Sequence, residues 1–151
     1  MLVTQSLLFV VAALFAPVFA APSGTEKPRL EARISGYDCG GTRFSVAQAQ
    51  NGFGDAVTAL QHDVVYSSGT RTYPDIFRNG GTNLELDPSP CVGKQLLEFP
   101  ILSSGNAYTG GDPGAHRVVV ADHGDGTSYD QCFLMTHQGA AGNLFNKCRT
   151  Y

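Results

Sequence analysis

Three residues with complementary chemistry lie in separate strand-like segments of this 151-residue chain. They are Glu98 in LLEFPILSSG, Arg117 in AHRVVVAD and His137 in FLMTHQGAAGN. A carboxylate can accept the proton of a ribose 2′-hydroxyl, an imidazolium can protonate a leaving oxygen, and a guanidinium can stabilise the charge that develops on a phosphoryl group. The trio therefore indicates cleavage of an RNA phosphodiester, provided that the fold brings the three segments together.

The segments that carry the trio are patterned as strands, and one earlier segment is patterned as a helix. Turn sequences such as TGGDPG and DHGDGTS separate three apolar runs, which cover residues 96–102, 117–121 and 132–137. Ser45 and Gln48 match a capping box, after which apolar residues recur at helical spacing as far as His62. We therefore predict an α+β domain in which one helix packs on a central antiparallel sheet and leaves the other face for function.

Side-chain alternation along the strands predicts which residues share that free face. Arg117 should project to one side of its strand and His116 to the opposite side. Glu98 and His137 could then converge with Arg117 on one face if the three strands are neighbours. His62 has a structural explanation instead, because a cation suits the C-terminal end of a helix.

The chain divides into a leader, a short arm and one folded domain. Residues 1–20 carry an apolar run that ends in Val18-Phe19-Ala20, whose spacing suits a signal-peptidase cleavage site. This pattern predicts a signal peptide and a secreted protein. Residues 21–35 are polar and rich in Pro, Glu, Lys and Arg, as in a disordered arm or propeptide. Residues 36–151 then have the length of one small domain, and no segment in them is apolar enough to span a bilayer.

All four cysteines lie in this domain, and an even number in a secreted chain predicts two disulfides. Sequence alone allows three pairings. We favour Cys39–Cys148, which would tie the ends of the domain together, with Cys91–Cys132 inside. The alternative of a zinc site lacks both a CxxC motif and a histidine at ligand spacing from a cysteine pair.

The charge balance limits how the protein could contact RNA. Thirteen acidic residues against ten basic ones give a formal net charge of −3. A protein that wraps RNA needs a broad cationic face, so we expect a cleft that binds one phosphate and one base of single-stranded RNA. Asp122, Asp125 and Asp130 lie among glycines, but their spacing does not match an EF-hand loop. We therefore expect that the protein needs no metal or other cofactor. We also expect it to be a monomer.

Several blocks, taken in order, resemble the fungal guanyl-specific ribonucleases of the microbial ribonuclease superfamily. These blocks are YDCGG, the Tyr73-Pro74 pair, LEFPILSSG, YTGGDPGAHRVVV and THQGAAGNLF, followed by a final cysteine. Their order and spacing are similar to the family's pattern from about Tyr37 to Cys148. The resemblance implies one helix over a central antiparallel sheet and a bridge such as Cys39–Cys148.

The resemblance also implies a role for each matching residue. Glu98 matches the general base that deprotonates the 2′-hydroxyl, and His137 matches the general acid that protonates the departing 5′-oxygen. Arg117 matches the group that stabilises the charge on phosphorus. Tyr73 matches an auxiliary tyrosine near the phosphate, and Phe145 matches an aromatic residue packed beside the site. The products would be a 2′,3′-cyclic phosphate and a 5′-hydroxyl.

One departure from the family pattern affects the catalytic groups. Asp75 stands where the family has a second histidine, which assists the glutamate and can partly substitute for it. An aspartate there would place a second carboxylate near Glu98 and near the substrate phosphate. Like charges at close range raise the pKa of one partner and repel an anionic substrate. The resemblance therefore implies weakened catalysis.

A second departure lies in the segment that corresponds to base recognition. Asn79 and Asn143 match family positions, and Phe77 could stack on a base. Gly81 replaces the glutamate that pairs with guanine in the family, so we expect a relaxed base preference.

Two functions from different classes follow from these sequence features. The first is a secreted fungal endoribonuclease that acts on single-stranded RNA. The second is a catalytically impaired effector on the same scaffold, which would act inside host cells by binding host RNA or a host protein. Asp75 and Gly81 favour the effector, whereas the complete Glu98, Arg117 and His137 trio favours the enzyme. Ribotoxins of the same superfamily are excluded because they are basic and have long lysine-rich loops.

Overall fold

The computed structural model describes residues 34–78, residue 84 and residues 91–151. The described residues form one helix and ten short strands. The helix is α1 (Val46–Gln61), and the strands are β1 (Gly36–Cys39), β2 (Thr42–Ser45), β3 (Tyr66–Ser68), β4 (Arg71–Tyr73), β5 (Asp75–Ile76), β6 (Gln95–Pro100), β7 (His116–Asp122), β8 (Tyr129–Thr136), β9 (Asn146–Lys147) and β10 (Arg149–Thr150). The predicted leader, nearly all of the arm, Asn79 and Gly81 lie outside the described residues.

Helix α1 begins at the predicted capping box. The Ser45 hydroxyl accepts a hydrogen bond from the Gln48 backbone N–H at 3.1 Å, and the Ser45 N–H donates to the Gln48 side chain at 2.9 Å. Each bond satisfies a polar group that would otherwise be unpaired at a helix N-terminus. The helix ends at His62, its C-cap, as predicted.

The central sheet is antiparallel and has the strand order β5-β6-β7-β8-β9. It contains all three predicted strands, each starting or ending within three residues of the expected position. Helix α1 covers one face, where the apolar side chains include Phe99, Val118 and Leu134. His116 also lies on this face, packed edge-on against Phe44 with ring centroids 5.1 Å apart. The predicted opposition of His116 and Arg117 is therefore confirmed.

The opposite face of the central sheet has an apolar cluster of its own. It includes Leu96, Val119, Phe133 and Met135, with Phe77 packed on top of them. Glu98 is paired with Val119 in the strand register and therefore points to this second face. The free face that we expected for function is thus partly filled by core residues.

Two smaller sheets and two disulfides complete the fold. One sheet has the order β10-β1-β2, and the other is the β3-β4 hairpin. Cys39–Cys148 and Cys91–Cys132 are both bonded, so the favoured pairing is confirmed. The Ser35 N–H donates to the Tyr151 carbonyl at 2.6 Å, which puts Ser35 in the folded part, although we predicted it as the end of the arm. No helix among the described residues is long and apolar enough to cross a membrane.

Candidate active site

Glu98 lies in strand β6 and is only 2% exposed. Two arginines flank its carboxylate: Arg117 Nε lies 3.9 Å from Oε2, and an Arg71 terminal nitrogen lies 3.6 Å from Oε1. The distance to Arg117 is too long for a hydrogen bond. Glu98 Oε2 and Arg117 Nε are both buried, and neither atom forms a hydrogen bond to a described residue.

Burial determines the proton affinity of Glu98. It raises the pKa of this carboxyl above its ordinary value, and it outweighs the lowering effect of Arg117 and then of Arg71. The nearby Asp75 carboxylate raises the pKa further. A carboxylate with a raised pKa is a stronger base than an exposed glutamate.

Arg117 is fixed by bonds that leave its Nε facing the carboxylate. One terminal nitrogen donates to the backbone carbonyls of Pro113, Gly114 and His116 at 2.8–3.1 Å. The other donates to the Tyr73 hydroxyl at 3.0 Å, and the guanidinium carbon lies 5.1 Å from the centre of the Tyr73 ring. Because these bonds hold the side chain in a single orientation, its charge is preorganised at the site.

His137 follows the last residue of β8, and its backbone N–H donates to the Ala115 carbonyl at 2.9 Å. Its Nδ1 lies 2.8 Å from the Leu144 carbonyl. A carbonyl can only accept, so Nδ1 carries the hydrogen and Nε2 is the nitrogen that can exchange a proton. The ring stacks on Phe145 with centroids 3.7 Å apart and an interplanar angle of 29°.

The environment of His137 lowers its pKa. Burial is the largest cause, and the bond to Leu144 opposes it by favouring the charged ring. Arg117 and Arg71 lower the pKa further. Since both arginines also act on Glu98, the two titratable groups share one electrostatic environment. Glu98 and Arg117 thus face each other on the sheet, and the charges of Arg117 and Arg71 reach His137. The convergence of all three residues on one face stays a prediction.

The other predicted site residues differ in how deeply they are buried and in which residues they contact. Tyr73 is fully buried, and Asp75 is paired with Glu98 in the register of β5 and β6. Phe77 is 9% exposed and packs edge-on against Phe133 and Phe145, so it occupies a core position. Base stacking by Phe77 stays a prediction.

The loop that follows His137 carries the last predicted binding residues. Asn143 is exposed on it, whereas Phe145 is half-buried between the rings of His137 and Phe77. Asn79, the remaining residue predicted for base recognition, lies outside the described residues. A binding role for the two asparagines stays a prediction.

Sequence reasoning missed Arg71. It contacts Glu98 and also lies 3.6 Å from Asp75 Oδ2. The available signal was alternation, because Arg71 precedes Tyr73 by two residues and the two therefore share a face of β4. An arginine that accompanies a predicted phosphate-site tyrosine on one strand face is itself a candidate for the site.

Comparison with known proteins agrees with this fold. A family model described as ribonuclease matches residues 32–149. The chain is similar to guanyl-specific ribonuclease C2 of Aspergillus clavatus, with 38% identity over 93% of this chain and 94% of that protein.

Two further relatives have comparable similarity. Guanyl-specific ribonuclease F1 of Fusarium fujikuroi is 36% identical over 79% of this chain and 81% of its own length. Extracellular guanyl-specific ribonuclease Fl1 of Gibberella baccata is 34% identical over 73% of this chain and 92% of its own length. The chain therefore belongs to the ribonuclease family that contains the guanyl-specific ribonucleases of fungi.

Proposed function

We propose that this protein is a secreted endoribonuclease that cleaves single-stranded RNA by attack of the 2′-hydroxyl on the adjacent phosphorus. The main support is a pair of buried atoms that face each other, Glu98 Oε2 and Arg117 Nε. Neither atom has a hydrogen-bond partner among the described residues. A ribose hydroxyl could donate to the carboxylate oxygen, and a phosphoryl oxygen could accept from the guanidinium. Buried groups that lack partners are costly, so their retention supports a role with substrate.

In the proposed reaction, two proton transfers accompany one displacement at phosphorus. Glu98 accepts the proton of the 2′-hydroxyl as that oxygen forms a bond to phosphorus. The bond between phosphorus and the 5′-oxygen breaks, and His137 donates a proton from Nε2 to the leaving oxygen. Arg117 stabilises the extra negative charge in the transition state. The products are a 2′,3′-cyclic phosphate and a 5′-hydroxyl, and the protein groups supply every proton and charge that this step needs.

The opposite pKa shifts of the base and the acid fit these roles. Glu98 must be ionised to act, and burial raises its pKa, so the acidic limb of the pH profile moves to higher pH. His137 must be protonated to act, and burial lowers its pKa, so the basic limb moves to lower pH. We therefore expect a bell-shaped dependence of kcat/KM on pH that is narrower than the ordinary pKa values of Glu and His would give.

The substrate preference and the location of the enzyme form the finer part of the proposal. The relatives are named as guanyl-specific, but Gly81 stands where the family has its base-pairing glutamate, so we expect weaker discrimination between bases. Asp75 in place of a family histidine supports a lower rate. The leader sequence and the extracellular relative Fl1 support secretion.

A non-catalytic effector that binds host RNA or a host protein is the second candidate. Asp75 favours it, because a carboxylate 38% exposed beside Glu98 would repel the phosphate of a substrate. The enzyme is the better supported of the two, since Glu98 and His137, the residues proposed to transfer protons, are both present and both contact neighbouring residues.

An RNA cleavage assay in EDTA distinguishes the two candidates. Secreted, disulfide-bonded protein is incubated with single-stranded RNA of all four bases, beside a His137→Gln variant. We expect cyclic-phosphate ends from the natural protein and a rate lower by about 10²- to 10⁴-fold in the variant, which lacks the general acid. Sequencing of the cut ends gives the base preference. Intact RNA in the presence of folded natural protein would contradict the enzyme and favour the effector.

A further inference from the structure

Arg71 lies at the solvent side of the candidate site and bridges two carboxylates. Its terminal nitrogen is 3.6 Å from Asp75 Oδ2 and 3.6 Å from Glu98 Oε1. The side chain is 53% exposed, whereas the Glu98 side chain is 3% exposed. One half-exposed cation is thus shared between an exposed carboxylate and a buried one.

The two carboxylates would oppose each other without this cation. Asp75 and Glu98 are direct partners across the β5-β6 pair, and side chains in such pairs are close neighbours. A negative charge at Asp75 favours the protonated form of Glu98, in which Glu98 could not accept a proton. Asp75 also accepts a hydrogen bond from the Ile76 N–H at 2.8 Å, which orients its carboxylate beside the strand.

The other charged groups around Glu98 act differently from Arg71. Arg117 faces Glu98 from β7 and lowers its pKa more than Arg71 does, but its terminal nitrogens bond to three carbonyls and to the Tyr73 hydroxyl, and its ion pair among the described residues is with Glu98. His137 follows the last residue of β8, and the two arginines lower its pKa. Arg71, from β4, is therefore the cation that can offset Asp75 directly.

We propose that Arg71 is a positioning residue of this active site, held by Asp75 so that its charge keeps Glu98 ionised and ready to accept the 2′-hydroxyl proton. The inference rests on the proposed ribonuclease function for its catalytic consequence. Its electrostatic part concerns the ionisation of Glu98 alone and can be measured without any RNA. In this view, Arg71 and Asp75 act as one unit, and the effect of changing either depends on the other.

A pH profile of kcat/KM tests the catalytic consequence. In Arg71→Gln, the acidic limb should move to higher pH, so that the ratio of kcat/KM at pH 8 to that at pH 5 rises about two- to fivefold, the range that a half-exposed ion pair supports. Asp75→Asn should move the limb to lower pH, and Arg71→Lys should restore most of the natural profile. The acidic limb of the double variant should lie at a pH between those of the two single variants. Arg43→Gln, which removes an exposed arginine from β2, is the matched control and should leave the profile unchanged.

Carbon NMR of glutamate side-chain carboxyls tests the electrostatic part directly. The chain has four glutamates, Glu26, Glu31, Glu85 and Glu98, and the Glu98→Gln variant assigns the Glu98 signal. The Glu98 titration should move to higher pH in Arg71→Gln and to lower pH in Asp75→Asn. An unchanged titration in folded Arg71→Gln would overturn the inference, even if RNA is cleaved. A shifted titration without RNA cleavage would support the electrostatic role and contradict the ribonuclease function.

Discussion

At the scale of single residues, the proposed catalytic role of Glu98 has a consequence for stability. Its pKa is higher in the folded protein than in the unfolded chain, chiefly because of burial. A group with a raised folded pKa binds a proton more tightly in the folded state, so its contribution to stability is present at low pH and is lost as pH rises through the folded pKa. The ionised form required of a general base is thus the form that destabilises the fold.

Substitution of Glu98 by Gln should therefore separate the two properties. We expect kcat/KM to fall by about 10²- to 10⁴-fold, because the general base is removed. The change in melting temperature relative to the natural protein should be more favourable at pH 7 than at pH 4, where the natural carboxyl is already largely protonated. Thermal unfolding at the two pH values measures this difference. Equal changes at both pH values would show that burial does not control this carboxyl.

Residue types in the sequence predicted the trio, because few combinations of side chains offer a base, an acid and a charge-stabilising group together. Two features could not be predicted in this way. The ion pairs of Arg71 depend on the side-chain directions of β4, β5 and β6. The burial of Phe77 depends on the rings of Phe133 and Phe145, which come from distant parts of the chain.

At the scale of secondary structure, two glycines of helix α1 offer a matched pair. A methyl group added at exposed Gly54 would meet no atom within 4 Å, whereas one added at buried Gly52 would lie 3.2 Å from Ile101, the residue after β6. Gly54→Ala should raise the free energy of unfolding by about 0.5–1 kcal/mol, because alanine favours the helix. Gly52→Ala should gain less or lose stability, because the contact with Ile101 is too close.

Urea unfolding of both glycine variants checks this expectation. Equal stabilisation by the two substitutions would mean that the helix can move away from the sheet at no cost. The result also bears on how well the elements were predicted. Capping and periodicity gave the helix correctly despite these glycines, and apolar runs gave β6, β7 and β8. The two-residue strands β5 and β9 carry too few residues for a periodic signal and exist only because they pair with β6 and β8.

At the scale of the whole molecule, the two disulfides should contribute unequally to stability. Cys39–Cys148 closes a loop of 109 residues and Cys91–Cys132 one of 41. In the chain-entropy model, each disulfide stabilises the fold by about 4–5 kcal/mol because it restricts the unfolded chain. The longer loop contributes about 0.9 kcal/mol more than the shorter one. Replacement of Cys39 and Cys148 by Ala should therefore lower the free energy of unfolding more than replacement of the other pair. Urea unfolding of the two double variants gives the order, and the reverse order would contradict this account.

The Cys39–Cys148 bridge also makes most of the domain a covalent ring. Strands β1 and β10 pair beside it, and Ser35 bonds to Tyr151, so the ring is closed by both sulfur and backbone contacts. A single cut of the backbone between residues 39 and 148, for example in the exposed turn at Gly124–Gly126, would leave one connected molecule. A protease would have to cut twice to release a fragment, and a second cut between residues 39 and 91 would still leave the excised part tied by the inner disulfide. A nicked form of this protein could thus keep Glu98, Arg117 and His137 in place.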